Sequence, residues 1–144
     1  VSSVFTVAHH AQLANAWTIV RLSLHVLGAC VWVGGQLVLA GLVVTLRGIS
    51  HDAPGKVAKA FARFTWPAFG LLIVTGVWSV AAVGAGASSN WNAVFGIKMF
   101  CVIIAGLGAF LHTKAASPKA KGVFASVGML GTIAAMVLGV ALAG

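Results

Sequence analysis

The chain has 144 residues, 60% of them hydrophobic and only 7% charged, with nine Lys and Arg against a single acid, Asp52. Such a composition excludes a water-soluble domain and points to one polytopic membrane domain. The formal charge of +8 does not mark a nucleic-acid binder, because the basic residues flank apolar runs, where they set topology and meet anionic lipid.

The two cysteines, Cys30 and Cys101, both fall in apolar runs, form no CxxC and make no disulfide framework. The chain starts at Val1 without a basic n-region or a small-residue cleavage site, so no secretory leader is expected in it.

Taken in order, residues 1–16 mix Ser2, Ser3, Thr6, His9, His10, Gln12 and Asn15 with small apolar residues. They read as an outer interfacial segment ending at Trp17, a residue suited to the headgroup boundary. The first span is expected over about 17–47, since about 20 apolar residues cross a bilayer. A polar loop follows, broken by Asp52-Ala53-Pro54-Gly55. The second span is expected over about 58–83, with Pro67 kinking it. Gly84 to Asn90 is an uncharged turn, and Trp91 marks the interface again. The third span is expected over about 92–113 and the fourth over about 122–143, joined by a second basic loop with Lys114, Lys119 and Lys121.

The domain 17–144 is therefore expected to be an all-α, four-transmembrane-helix bundle. Lys and Arg crowd the first and third loops and are missing from the N-terminal segment and the 84–90 turn. The positive-inside rule then puts both basic loops in the cytoplasm and both termini outside. The fourth span carries Gly131, Ala135, Gly139 and Ala143 at i, i+4 spacing, a small-residue stripe that admits a close neighbour, inside the bundle or from a second copy.

Ionisable residues inside spans are costly and are functional hypotheses by default. His25 lies about eight residues past Trp17 and Lys98 about seven past Trp91. At about 1.5 Å per residue both sit about 10–12 Å below their tryptophans, at matching depth on parallel helices in the outer leaflet. No carboxylate is near to hold the charge of Lys98, and a free amine is, like neutral imidazole, a metal donor. Snorkelling to the interface is the other reading of Lys98, and a helix–helix hydrogen bond is the other reading of His25.

Gly28, Ala29, Trp32, Gly35 and Gln36 share the His25 side of the helix, and the small ones leave room for something flat and large. Arg21, one turn outward, is placed to meet the propionates of a haem b held by His25, or else a lipid phosphate. A copper site would lean on soft donors instead: Cys30, Cys101 and Met99 with histidines. His25 and Cys30 are about 140° apart around a straight helix and do not readily share an ion. His9-His10 could capture a metal outside, and a second, inner site would need His112 with His51.

The run His25-Val-Leu-Gly-Ala-Cys-Val-Trp32-Val-Gly34-Gly35, then Arg63-Phe64, Thr75-Gly76 and Gly96-Ile-Lys98, resembles the CopD-type copper-resistance membrane domain. It is similar, more distantly, to the HemJ-type protoporphyrinogen oxidases, from which it departs after Trp32 with Val33-Gly34-Gly35-Gln36. The resemblance covers about residues 20–115. The first family implies copper movement in the bacterial inner (cytoplasmic) membrane. The second implies haem b held by a histidine and a lysine, here His25 and Lys98.

The expected function is thus a CopD-like membrane protein with a redox-active metal centre, haem b first, between the first and third spans. Gly28, Trp32 and Arg21 line it, and electron transfer or haem-dependent oxidation is its chemistry. Copper transport and an accessory role in a larger membrane complex are the alternatives. Expected partners are the lipid bilayer and a homo-oligomer or larger complex, with no nucleic acid.

Overall fold

A computed structural model describes residues 13–143. Most of the interfacial segment, with His9 and His10, lies outside the described residues. Four helices follow one another: α1 (Ala16–Ile49), α2 (Ala53–Val83), α3 (Ser89–Lys114) and α4 (Pro118–Ala143). Each contains a stretch long and apolar enough to cross a bilayer, and the described residues contain no strand. The chain is a multi-pass, all-α membrane protein.

The helices begin earlier than apolar counting places them, and each start has a local cause. Asn15 caps α1, its Oδ1 accepting from the Thr18 amide at 2.8 Å. In α2, Pro54 occupies the first turn, where a missing amide hydrogen costs nothing, so the loop before it shrinks to Ser50–Asp52. Ser88 caps α3 by accepting from the Trp91 amide at 3.1 Å. Ser117 does the same for α4, accepting from Ala120 at 3.2 Å, with Pro118 opening the helix. At its far end α2 stops at Gly84, whose φ of 69° lies in the left-handed region that suits glycine.

Two irregularities sit inside spans. Pro67 is embedded in a continuous α2 and removes the donor for the Arg63 carbonyl. Cys30–Gly34 is a π-type turn within α1, at the level where Trp32 enters the bundle.

The helices pack as two antiparallel hairpins, α1 with α2 and α3 with α4. What lies between them is small. Gly28, Thr65, Ala68, Thr75, Ala105, Gly108, Gly128, Gly131, Thr132 and Ala135 are buried, and Trp32 is the one large buried side chain among the described residues. Large apolar residues such as Val44, Phe64, Val74 and Val140 face outward, as lipid removes any reason to hide them.

The α3–α4 contact is closest at Gly108, where a Cβ would stand 2.6 Å from the Gly128 Cα and 2.9 Å from the Phe124 carbonyl oxygen. Gly131 is pressed against the Cys101 carbonyl and the Ala105 amide. Gly131 and Gly139 of the α4 stripe thus face α3 inside the molecule. The hairpins meet where the Trp32 indole donates to Thr132 Oγ1 at 3.2 Å and where Phe69 of α2 covers Gly106 of α3.

Candidate functional site

All four helices contribute to one layer in the half of the bundle that holds Trp17, Trp78 and Trp91. From α1 comes His25, half-buried, its Nδ1 2.7 Å from the Thr75 Oγ1 of α2. Thr75 is 1% exposed, and its hydroxyl donates to the Leu71 carbonyl at 2.7 Å, with Leu72 O at 3.3 Å. One turn on, Ser79 donates to the Thr75 carbonyl at 2.8 Å. These bonds tie the polar groups of the span to its own backbone, the usual way a helix in lipid satisfies hydroxyls.

From α3 comes Lys98, also half-buried. It reaches across to α4, where its Nζ lies 3.2 Å from the position a Gly139 Cβ would take. Gly139 therefore lies under the lysine, and a side chain there would meet its amine end. His25 lies about two turns outward of Trp32, and Gly139 about two turns outward of Thr132, the residue Trp32 bonds, so His25 and the amine over Gly139 fall at one level.

Arg21 stands one turn toward the tryptophans from His25. Its Nε is buried and has no hydrogen-bond partner among the described residues. Trp17 and Trp78 pair nearby at a centroid distance of 6.2 Å, bringing the same ends of α1 and α2 together.

Gly28 and Trp32 face the same way along α1 but do other work. A Cβ on Gly28 would lie 3.1 Å from both the Ala68 carbonyl oxygen and Leu72 Cγ, so the space beside the imidazole on that side is taken by α2. Trp32 is 3% exposed, 4.3 Å from Phe69 and 5.8 Å from Trp66 between ring centroids, and bonded to Thr132. It is the centre of the bundle, one layer below His25. Gln36, further along this face, has a buried Nε2 without a partner among the described residues.

The soft donors lie on different surfaces. Cys30 is exposed, beside Leu27 and Val26 on the outward side of α1. Met99 lines an apolar groove between α2 and α3 with Trp66, Phe69 and Ile73. Cys101, two residues on and so about 160° away around the helix, has its backbone against α4. At the other end of the molecule His112 shares a bond of 2.9 Å with the Lys121 carbonyl, donating to it, and His51 lies in solvent 3.6 Å from Asp52. Among the described residues no three His, Cys, Asp or Glu side chains gather at one point.

Residue types alone did not single out Thr75 or Ser79 as site residues. Their spacing of four places them on one face of α2, which is a signal, but only the histidine across from them gives it meaning. Compared with known family models, curated proteins and solved structures, the chain matches none.

Proposed function

We propose that this CopD-like membrane protein binds haem b in the layer of His25 and Lys98, as its more distant resemblance to the HemJ-type proteins implies, and serves electron transfer or haem-dependent oxidation. One observation carries the reading. An imidazole on α1 and a primary amine on α3 lie at one level of the bundle, and the one acidic side chain, Asp52, belongs to the opposite end. Such a pair has no structural need to exist inside a span, where each polar group is costly.

The donor set fits the group. His25 and Lys98 would hold the iron, and the unpartnered Arg21 Nε, one turn outward, would receive a propionate through a charge-assisted bond. Haem b bound there would supply one-electron chemistry. The residues of the chain orient it: Thr75 fixes the imidazole, Gly139 gives Lys98 its path, and the packing of Leu72 on Gly28 closes the α2 side. The copper reading draws less support, because Cys30, Met99 and Cys101 are spread over different surfaces. The basic loops are cytoplasmic and the site is in the outer leaflet of a bacterial cytoplasmic membrane.

The test is an absorption spectrum of protein expressed with ample haem. The parent is expected to show a Soret band that is lost in His25→Ala and shifted or weakened in Lys98→Ala. A parent without a Soret band ends the reading, and metal analysis for copper then decides between the remaining two.

A further inference from the structure

We propose that Thr75 is a positioning residue that sets the tautomer of His25, keeping the proton on Nδ1 and leaving Nε2 bare toward the layer shared with Lys98. The inference follows from counting protons. Thr75 Oγ1 stands 2.7 Å from the Leu71 carbonyl oxygen and 2.7 Å from His25 Nδ1. Atoms with facing lone pairs repel at such distances, so each of the two contacts needs a proton between its atoms. A threonine hydroxyl has one. The carbonyl has none, so the hydroxyl proton goes to Leu71 and the second proton comes from the imidazole. Nδ1–H donates, Oγ1 accepts, and the lone pair of a neutral His25 lies on Nε2.

The environment makes this choice firm. Thr75 is 1% exposed, so no water competes for its oxygen, and the Leu71 and Leu72 carbonyls flank the hydroxyl from its own helix. Metal-ligating histidines use the same arrangement, in which the nitrogen away from the metal donates to a fixed acceptor and so orients the ring. The tautomer claim stands on the hydrogen bonds alone; the claim that Nε2 is the ligating atom rests on the haem reading.

The experiment separates the two. Protein labelled with 15N-histidine is prepared without haem, and His25→Ala identifies the His25 signals. The parent is expected to show a protonated Nδ1 and an unprotonated Nε2 at His25. Thr75→Val, nearly the same shape without the hydroxyl, is expected to move the population toward Nε2–H, and Thr75→Ser to restore the parent pattern. An Nε2–H parent, or a valine variant with an unchanged tautomer, overturns the proposal; so does a serine variant that behaves like valine. Should the valine variant fail to fold, the parent and serine spectra still decide.

Haem titration then follows. Thr75→Val is expected to bind haem about 10- to 100-fold more weakly, with a displaced Soret band, and Thr75→Ser to bind as the parent does. A parent that takes up no haem refutes the haem reading and leaves the tautomer result standing. Equal haem affinity and equal spectra in parent and valine variant refute the positioning role.

Discussion

At the scale of single residues, Trp32 shows how this molecule is held together without a hydrophobic drive between its helices. Its indole fills the middle of a bundle otherwise lined by glycine, alanine and threonine, and its N–H finds Thr132 on the opposite hairpin. Interhelical bonds of this kind average about 0.6 kcal/mol and reach about 1.7 kcal/mol, since the unfolded chain in lipid also finds partners. A double-mutant cycle of Trp32→Phe and Thr132→Val should therefore give a coupling of about 1 kcal/mol in unfolding from mixed micelles. Additive single effects would show that the bond does not join the hairpins. The sequence pointed to Trp32 as a neighbour of a cofactor expected at His25 because it shares that face; its burial among Phe69 and Trp66 was hidden in residues too far along the chain to be counted against it. His25 was legible, because an imidazole in an apolar run needs a partner. The direction of Lys98 was not, because it depends on the empty side of Gly139 across the bundle.

At the scale of elements, the glycines of α3 and α4 are not equivalent, although their spacing makes them look so. Gly108 meets backbone, the Gly128 Cα and the Phe124 carbonyl, which have nowhere to go, whereas Gly139 meets only the end of a flexible lysine. Gly108→Ala is thus expected to force α3 and α4 apart and destabilise the bundle by about 1–3 kcal/mol, as overpacking does. Gly139→Ala is expected to leave stability nearly unchanged while displacing Lys98, which haem spectra would register. Equal loss of stability in both variants would mean that the stripe of α4 packs uniformly. The number of spans and their order could be read directly, since each is an apolar run of membrane length between polar turns. The starts could not, because Pro54, Ser88 and Pro118 admit polar first turns into α2, α3 and α4 that apolar counting leaves in the loops.

At the scale of the whole molecule, most Lys and Arg and three of the five tryptophans are sorted to opposite ends. Four consecutive spans put the Ser50–Asp52 and Ala115–Ser117 loops at one end, and the Gly84–Ser88 turn with the start of α1 at the other. Arg47, Lys56, Lys59, Arg63, Lys114, Lys119 and Lys121 all belong to the loop end, while Trp17, Trp78 and Trp91 gather at the turn end with His25 and Lys98. The bias in Lys and Arg near span ends is what orients a polytopic chain during insertion, and aromatic residues settle at headgroup level. The basic end is accordingly expected in the cytoplasm. Arg21 and Lys98 break the sorting, both lying on the turn side, Arg21 one turn outward of His25 with its Nε unpartnered among the described residues, where the proposed haem would bring an anion. Single cysteines in a Cys30→Ala, Cys101→Ala background can read the orientation. Gly86→Cys and Ala116→Cys suit this, because both positions are exposed and neither replaces the serine that caps α3 or α4. In intact cells a membrane-impermeant thiol reagent should label the first and spare the second, and both should react once the membrane is opened. The reverse pattern would place the His25 layer in the inner leaflet, so that any electron partner would have to reach it from the cytoplasm.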